Sequence, residues 1–325
     1  MFRRSAIDEM ENKLYEMLPP IHGTWFFVDP TDGSNSKNGR TRATAVADLP
    51  TAYGKCTTGR GDGICHISRG ITTAGCSSYL TESLDWSKWG ITVVGLSAPT
   101  MYAQRSRIVN NTSTQTLVYI IDIQGSNNAF YNLHFGNFGT NAAAVGGVKV
   151  TGNRNYFEKV SMVGGAGRAG ADGDYDLSLC GAENTFFKCA IGTDTHDKGN
   201  KTNCNLLFHG SGDVIVMRNV WDSCIFLSKH SAGTTAGAIR CAGSASVHDF
   251  QLFKNCDFLA YRDGGAIPAE AALVIGTNPN NGGFVFDSQC AALGYDDWGA
   301  AAAFCYTAAA TAHETGGQYL AANPS

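Results

Sequence analysis

Short stretches in which apolar residues alternate with other residues recur along the chain and end in glycine. In YIIDIQG, for example, Ile121 and Ile123 lie two residues apart before Gly125. A period of two is typical of β-strands, because successive side chains point to opposite faces. Consecutive copies lie 27 to 33 residues apart, and no helical stretch of ten or more residues fits between them. The closing glycines, which we expect at one corner of a repeating unit, are Gly95, Gly125, Gly152, Gly181, Gly210, Gly243 and Gly276.

A second apolar segment follows several of these glycines after an asparagine. GSNNAFYNLHF, GNRNYFEKVSM and GAENTFFKCAI share the spacing Gly-x-x-Asn-x-aromatic. Glycine permits a positive backbone φ at a corner, and asparagine favours turns because its side chain can bond its own backbone. Two or three short strands in about 30 residues fit one turn of a parallel β-helix, whereas a propeller blade needs about 40–45 residues. The pattern predicts an all-β protein: a single parallel β-helix of about eight to ten rungs, a rung being one turn of the coil.

The two ends of the chain depart from this repeat. Residues 5–18 predict a short amphipathic α-helix, because one apolar stripe precedes a Pro-Pro pair. We divide the chain into an N-terminal helix over 1–22, a β-helix over 23–298, and a C-terminal cap or extended tail over 299–325. The helix either caps the exposed core or docks on another protein. Its attachment candidates are Ile7, Met10, Leu14, Met17 and Leu18.

Cysteines occupy an equivalent position in successive units. The chain has 11 cysteines, an odd number, and no Cys-x-x-Cys pair of the kind that indicates a metal site. Strands stacked in register would align these thiols inside the coil, where free cysteine packs as a small apolar side chain. We therefore predict a core ladder of Cys189, Cys224 and Cys256, extended by Cys290.

Composition and charge exclude several classes of function. Charged residues make up 16% of the chain and the formal net charge is −4. The absence of a Lys or Arg run argues against nucleic-acid binding. No stretch approaches 18 apolar residues, so we expect no membrane-spanning helix. The N-terminal segment has two arginines but no apolar core, which argues against a secretory signal. We expect neither a cofactor nor a metal ion.

Polar residues suited to chemistry concentrate in two loops, over 163–176 and 192–201. Stacked rungs would place these loops side by side, where paired carboxylates can act as general acid and base in sugar cleavage. The alternative, which the sequence favours, is that they form solvated turns and contacts between subunits. If the protein is an enzyme, its catalytic candidates are Arg168, Asp172, Asp174, Asp176, Asp194 and Asp197.

The first part of the repeat region contains a recognisable series of segments. TWFFVDP (24–30), a Gly/Ser/Asn-rich loop and GDGICHISRG (61–70) follow one another, and GAENTFFKCAIGTD and FKNCDFL lie downstream. This series resembles pectate-lyase-like right-handed β-helix proteins, especially the structural proteins and tailspikes of tailed-phage virions. The resemblance covers roughly residues 23–300. It lies in the pattern of the rungs, and the calcium-binding acidic cluster and catalytic arginine of a pectate lyase are not matched residue by residue.

The resemblance implies a right-handed coil, assembly into a parallel homotrimer, and a virion protein that is assembled in the host cytoplasm. Its first functional expectation is a non-enzymatic capsid decoration protein, of the cement or head-fibre kind, which binds the phage major capsid protein or other virion proteins. The alternative is a tailspike or tail-fibre protein that binds or degrades a host surface glycan, as a glycoside hydrolase or lyase. We expect no nucleic-acid or membrane partner.

Overall fold

Three parallel β-sheets run along the molecule, and neighbouring strands in each sheet belong to successive rungs. The computed structural model describes residues 19–68, 77–102, 106–111, 113–165, 173–197, 203–209, 215–230, 237–242, 247–262, 272–276, 282–295 and 305–307.

Each sheet takes one short strand from nearly every rung. Sheet A consists of β1 (Trp25–Val28), β2 (Gly63–Ile67), β5 (Thr92–Leu96), β8 (Ala129–Tyr131), β11 (Tyr156–Glu158), β14 (Thr185–Phe187), β17 (Val216–Asp222), β20 (Val247–Lys254), β23 (Gly282–Phe286) and β25 (Cys305–Thr307). Sheet B consists of β3 (Ser77–Leu80), β6 (Arg107–Asn110), β9 (His134–Gly136), β12 (Ser161–Val163), β15 (Ala190–Asp197), β18 (Ile225–His230), β21 (Asp257–Arg262) and β24 (Ala291–Leu293). Sheet C consists of β4 (Leu84–Trp86), β7 (Ile121–Ile123), β10 (Gly146–Val150), β13 (Tyr175–Leu179), β16 (Cys204–Phe208), β19 (Gly237–Cys241) and β22 (Ala272–Gly276).

The chain visits the sheets in a fixed order and returns to the first one rung further on. Strands β8, β9 and β10 lie in sheets A, B and C, and β11 pairs in parallel with β8. Crossovers between parallel strands are right-handed in nearly all proteins. The predicted fold class is confirmed: the protein is a right-handed parallel β-helix, with sheets of seven, eight and ten strands in the described part of the chain.

Aromatic side chains fill the inside of the coil and stack from rung to rung. Adjacent ring centroids in the main stack lie 4.6 to 5.4 Å apart, close to the spacing between neighbouring strands. The stack therefore follows directly from the in-register pairing of sheet A. Its members are Phe130, Phe157, Phe186, Trp221, Phe253 and Phe286.

One α-helix occurs among the described residues, α1 (Leu49–Lys55), preceded by a 3-10 turn over Arg42–Thr44. Asp48 caps the helix by accepting a hydrogen bond from a backbone N–H of its first turn. Tyr53 of α1 stacks on Trp86 of β4 with ring centroids 4.2 Å apart, so the helix joins the core at its first rungs. In the part of the chain that is described, no helix is long and apolar enough to span a membrane.

Several predicted features lie outside the described residues. These are the helix over 5–18, most of the segment 299–325, and the individual residues Ile7, Met10, Leu14, Met17, Leu18, Arg168, Asp172, Gly210 and Gly243.

The corner glycines have a different role from the predicted one. Gly125, Gly152 and Gly181 follow strands of sheet C, but none of them has a positive φ. The left-handed residues of this corner come two positions later, as Arg154 does after Gly152. A Cβ at Gly152 would overlap the carbonyl oxygen of Gly125 in the preceding rung. Glycine is required here because the backbones of successive corners pack too closely for a side chain.

Two of the predicted corner glycines lie elsewhere. Gly95 is inside β5 of sheet A, opposite His66 of β2. Gly276 ends β22 opposite Cys241. Through the neighbouring rungs this position aligns with Leu179, which lies two residues before the corner glycine Gly181. Both predictions were wrong because strands of all three sheets recur with the same period, so spacing alone identifies neither the sheet nor the register.

A buried row of amides runs beside these glycines. Asn155 donates from Nδ2 to the carbonyl of Gly125 over 3.0 Å, and its Oδ1 accepts the backbone N–H of Asn128 over 2.9 Å. The asparagines therefore bond between rungs, whereas the sequence predicted bonds to their own backbone. The row consists of Asn128, Asn155, Asn184, Asn219 and Gln251.

Candidate functional site

The structure places two of the predicted catalytic carboxylates in the interior. Asp176 is fully buried, and it accepts hydrogen bonds from the backbone of Gly164 and from Nδ2 of Asn205, both over 2.9 Å. Asn205 also bonds the carbonyl of Leu227 in sheet B. Asp174 is buried as well. These two side chains are therefore not in the solvated turns that the sequence favoured: Asp176 ties sheet C to sheet B.

Asp194 lies on an irregular part of β15, which loses its pairing with sheet B after Gly192 and regains it at Asp197. Gly192 has a φ of 100°, which favours glycine, and the pairing of β15 with β18 shifts register after it. The segment Thr193–His196 then forms one wall of a cavity of about 230 Å³ on the outer face of the sheet. We call this cavity the sheet-B groove: Thr193–His196 line it on one side and Tyr102 lines it too, while His134, Ser161 and Leu227 come from the strands beneath.

An imidazole and a hydroxyl meet at the floor of the sheet-B groove. His134 and Ser161 are register neighbours on β9 and β12, and Nδ1 of His134 lies 3.1 Å from Oγ of Ser161. Both side chains are buried. Arg107 of β6 is the register neighbour of His134 on the other side and also lines the groove. The row thus brings a guanidinium, an imidazole and a hydroxyl together in three successive rungs.

Aromatic rings support this row from the outside. The ring of His134 stacks on Phe138 at 6.1 Å between centroids, with planes 9° apart. Phe138 in turn contacts His196 of the groove wall at 5.5 Å. The groove therefore has apolar surface beside its polar floor, which is typical of sites that bind small ligands or sugar units.

Tyr102 is the most exposed aromatic residue of the groove and lies near two carboxylates. It is 44% exposed. Burial of the rest of its ring raises the pKa of the phenol, and the negative charges of Asp257 and Asp194 raise that pKa further. The Tyr102 hydroxyl is accordingly protonated at neutral pH. It can donate a hydrogen bond while the carboxylates accept hydrogen bonds.

The candidate acidic residues thus occupy different environments. Among the described ones, Asp194 lines the groove, Asp197 ends β15 opposite Lys229, and Asp174 and Asp176 are internal. His134 and Ser161 were not predicted as site residues, because they lie 27 positions apart in segments that have the pattern of ordinary strands. Their alignment depends on exact register, which the repeat alone does not set.

The cysteine ladder lies in the core, away from the groove. Cys189, Cys224, Cys256 and Cys290 are buried, and the thiol of Cys224 donates to the carbonyl of Phe186 over 3.3 Å. Burial raises the pKa of the Cys224 and Cys256 thiols well above the usual range, so they are protonated and unreactive. Among the described residues, no group of three His, Cys, Asp or Glu side chains is placed to hold a metal ion.

A larger cavity, of about 400 Å³, lies at the corner between sheets C and A. We call it the corner cavity; its lining includes Thr151, Arg154, Glu183, Ile215 and Arg218. Its charged side chains bond to one another on an exposed edge. We place the candidate site in the smaller sheet-B groove, because of these two cavities it is the one in which buried polar side chains lie beside an exposed aromatic ring.

Comparison with solved structures shows the fold. The chain is similar to pectate lyase Pel9A, with 14% identity, a TM-score of 0.58, and 87% of this chain and 68% of that chain covered. A rhamnogalacturonan lyase matches with 15% identity, a TM-score of 0.54, and 88% and 73% covered. A pectin methylesterase in complex with a hexasaccharide matches with 14% identity, a TM-score of 0.51, and 94% and 95% covered. No protein-family model and no curated protein matches the chain.

Proposed function

We propose that the protein binds a polysaccharide chain in the sheet-B groove. The observation that carries the proposal is the position of Tyr102, an exposed aromatic ring that lines the groove together with Asp194. Aromatic faces bind sugar rings by stacking, and carboxylates accept hydrogen bonds from sugar hydroxyls. The similar solved structures add support, because their names describe proteins that act on pectin or related polysaccharides.

Each group of the groove has a distinct role in this proposal. The ring of Tyr102 stacks on a sugar face, and its protonated hydroxyl donates a hydrogen bond. Asp194 accepts hydrogen bonds from the ligand at the wall. Arg107 and the His134–Ser161 pair bind the ligand at the floor, where burial strengthens polar interactions.

Cleavage of the bound chain is the enzymatic form of the same proposal. Glycoside hydrolysis needs two carboxyl groups on opposite sides of the scissile bond. Asp194, which lines the groove, would be one of them, with Asp257 as its candidate partner, in place of the buried Asp174 and Asp176. Release of reducing ends from a bound polysaccharide measures this activity, and binding without release limits the function to recognition.

Affinity electrophoresis tests the proposal with the purified chain and a panel of neutral and acidic bacterial surface polysaccharides. The expected result is retardation by at least one polysaccharide that excess free oligosaccharide of the same repeat reverses. The proposal is wrong if none of the panel retards the protein at any concentration that stays soluble.

A second candidate function is a non-enzymatic virion protein, most concretely a trimeric capsid decoration protein. The observation that favours it is the burial of Asp174 and Asp176, which removes two of the five candidate acidic groups from the surface. Co-sedimentation with emptied capsids tests this candidate. Binding to the major capsid protein, with no retardation by any polysaccharide, would support decoration over glycan recognition.

A further inference from the structure

The corner between sheets C and A carries charged residues that alternate in sign from rung to rung. Arg154, Glu183, Arg218 and Asp249 occupy this position in four successive rungs, and we call them the corner row. All four have a left-handed backbone, with φ between 53° and 59°. Their side chains are 28% to 64% exposed. The corner row is thus an ordered line of charges on the outer edge of the coil.

Ion pairs connect each side chain of the corner row to the next one along the row. Nε of Arg154 lies 2.6 Å from Glu183, whose other oxygen lies 2.8 Å from Nη2 of Arg218. Nε of Arg218 lies 3.7 Å from Asp249. Exposed ion pairs of this kind contribute little to folding. Their regular order nevertheless gives the edge a defined pattern, positive-negative-positive-negative, which a second surface can match.

We infer that the corner row is the centre of an antiparallel dimer of this chain. When the corner row runs in the opposite direction, it presents a negative charge at each rung where the original row presents a positive charge, and the reverse. An antiparallel copy places Asp249 of the partner subunit opposite Arg154, and Arg218 of the partner subunit opposite Glu183. The two-fold axis then passes between the rungs of Glu183 and Arg218. Such an interface uses the same surface on both subunits, as closed two-fold dimers do.

Parallel arrangements through this edge are less favourable. In-register parallel copies would place each arginine opposite an arginine and each carboxylate opposite a carboxylate. A stagger of one rung would match the signs, but a staggered contact does not close and leads to open-ended assemblies. Charge complementarity together with closure therefore selects the antiparallel copy.

Apolar surface and a cavity accompany the charges. Phe250 and Ile215 are 41% and 38% exposed beside the row. The corner cavity spans the rungs of Thr151, Glu183 and Ile215. The two-fold axis brings Phe250 of the partner subunit to the level of the Arg154 rung, at one end of this cavity. A protruding ring and a concavity of about 400 Å³ thus lie at matching heights. The sheet-B groove lies on a different sheet, so this dimer goes beyond the proposed function.

Sedimentation velocity of the purified 325-residue chain tests the inference, from about 1 µM to about 100 µM. We expect a species of twice 34.4 kDa that dissociates on dilution and is weakened by high salt. Glu183→Arg should weaken the dimer by about tenfold or more, because it places like charges across the interface. Phe250→Ser should weaken it without altering the salt dependence.

A variant in which the four charges of the corner row are exchanged in sign separates effects on the interface from effects on folding. Arg154→Glu, Glu183→Arg, Arg218→Glu and Asp249→Arg together keep every ion pair within the chain, and the inverted row still complements itself. The inverted protein should therefore dimerise with itself as wild type does, whereas an antiparallel mixed dimer with wild type would set like charges opposite one another. A trimer or larger species that Glu183→Arg leaves unchanged, a monomer throughout, or an inverted protein that fails to dimerise would each overturn the inference.

Discussion

Asn184 donates a hydrogen bond from its side-chain amide to the backbone carbonyl of Gly152, one rung earlier, over 3.1 Å. The same Gly152 lies so close to Gly125 that a Cβ would overlap the carbonyl of Gly125. Glycine and asparagine at this corner are therefore two parts of one arrangement. Glycine lets successive backbones approach, and asparagine satisfies the carbonyls that the approach buries.

Interrupting the buried amide row should lower the free energy of unfolding substantially. Asn184→Ala would leave the Gly152 carbonyl and the backbone N–H of Asn155 without their partner. We expect a loss of about 2 to 5 kcal/mol in the free energy of unfolding. Urea unfolding measures it, and Gln124→Ala, an exposed amide two rungs earlier, should cost less than about 0.5 kcal/mol. Equal effects for the two variants would contradict a structural role for the row.

Glycine substitutions should separate close packing from backbone freedom. Gly152→Ala forces a side chain against the Gly125 backbone, and we expect a loss of about 3 kcal/mol or more. Gly54→Ala is the control, because a Cβ at Gly54 in α1 meets nothing within 4 Å. The control should be neutral or stabilising by up to about 1 kcal/mol. Thermal unfolding of both variants compares them, and a tolerated Gly152→Ala would refute the packing explanation.

A buried histidine should make the fold sensitive to mild acid. His66 lies with Nε2 3.0 Å from Oγ of Ser78, and burial lowers its pKa to about 4 from the ordinary 6.5, against an opposing influence of Asp29. Between these values the unfolded chain binds a proton that the folded chain does not. Stability should therefore be complete above pH 6.5 and fall towards pH 4, by at most about 1.4 kcal/mol per pH unit from this group.

Unfolding free energies measured across that range test the assignment to His66. His66→Gln should flatten the pH dependence, whereas substitution of the exposed His209 by Gln should leave it unchanged. A slope that survives His66→Gln would assign the acid sensitivity to other groups.

The thiols should be unreactive in the folded protein. All nine cysteines whose side chains are described are free and buried, and burial raises the pKa of Cys65 and Cys241 to about 12. A thiol reagent at pH 8 should therefore label quickly at most Cys76 and Cys305, and all 11 cysteines after denaturation. Mass spectrometry of the labelled peptides identifies which cysteines carry the label. Rapid labelling of Cys224 or Cys256 would show that the core opens at the ladder.

The sequence predicted the coil but not its register. Alternating apolar residues and a period near 30 residues were sufficient for the fold, because each rung must stack on the next to bury its apolar side chains. Gly95 was misplaced since strands of different sheets share that period, and Gly276 was misplaced since the period does not set the register within sheet C. The sheet-B groove was not predicted, because Tyr102, His134 and Ser161 come from separate rungs and share no local motif. Asp176 appeared as a surface acid because its partner Asn205 lies one rung away.

The comparison of two tyrosines tests the central claim about the sheet-B groove most directly. Tyr102 and Tyr119 are both partly buried near two carboxylates, but Tyr119 faces Asp85 and Asp122 beside sheet C and lies outside the groove. The measurement is the dissociation constant for a polysaccharide that retards the wild-type protein. We predict that Tyr102→Ala weakens binding about tenfold or more while Tyr119→Ala leaves it unchanged. Equal binding by wild type and Tyr102→Ala would contradict the assignment of the groove as the functional site.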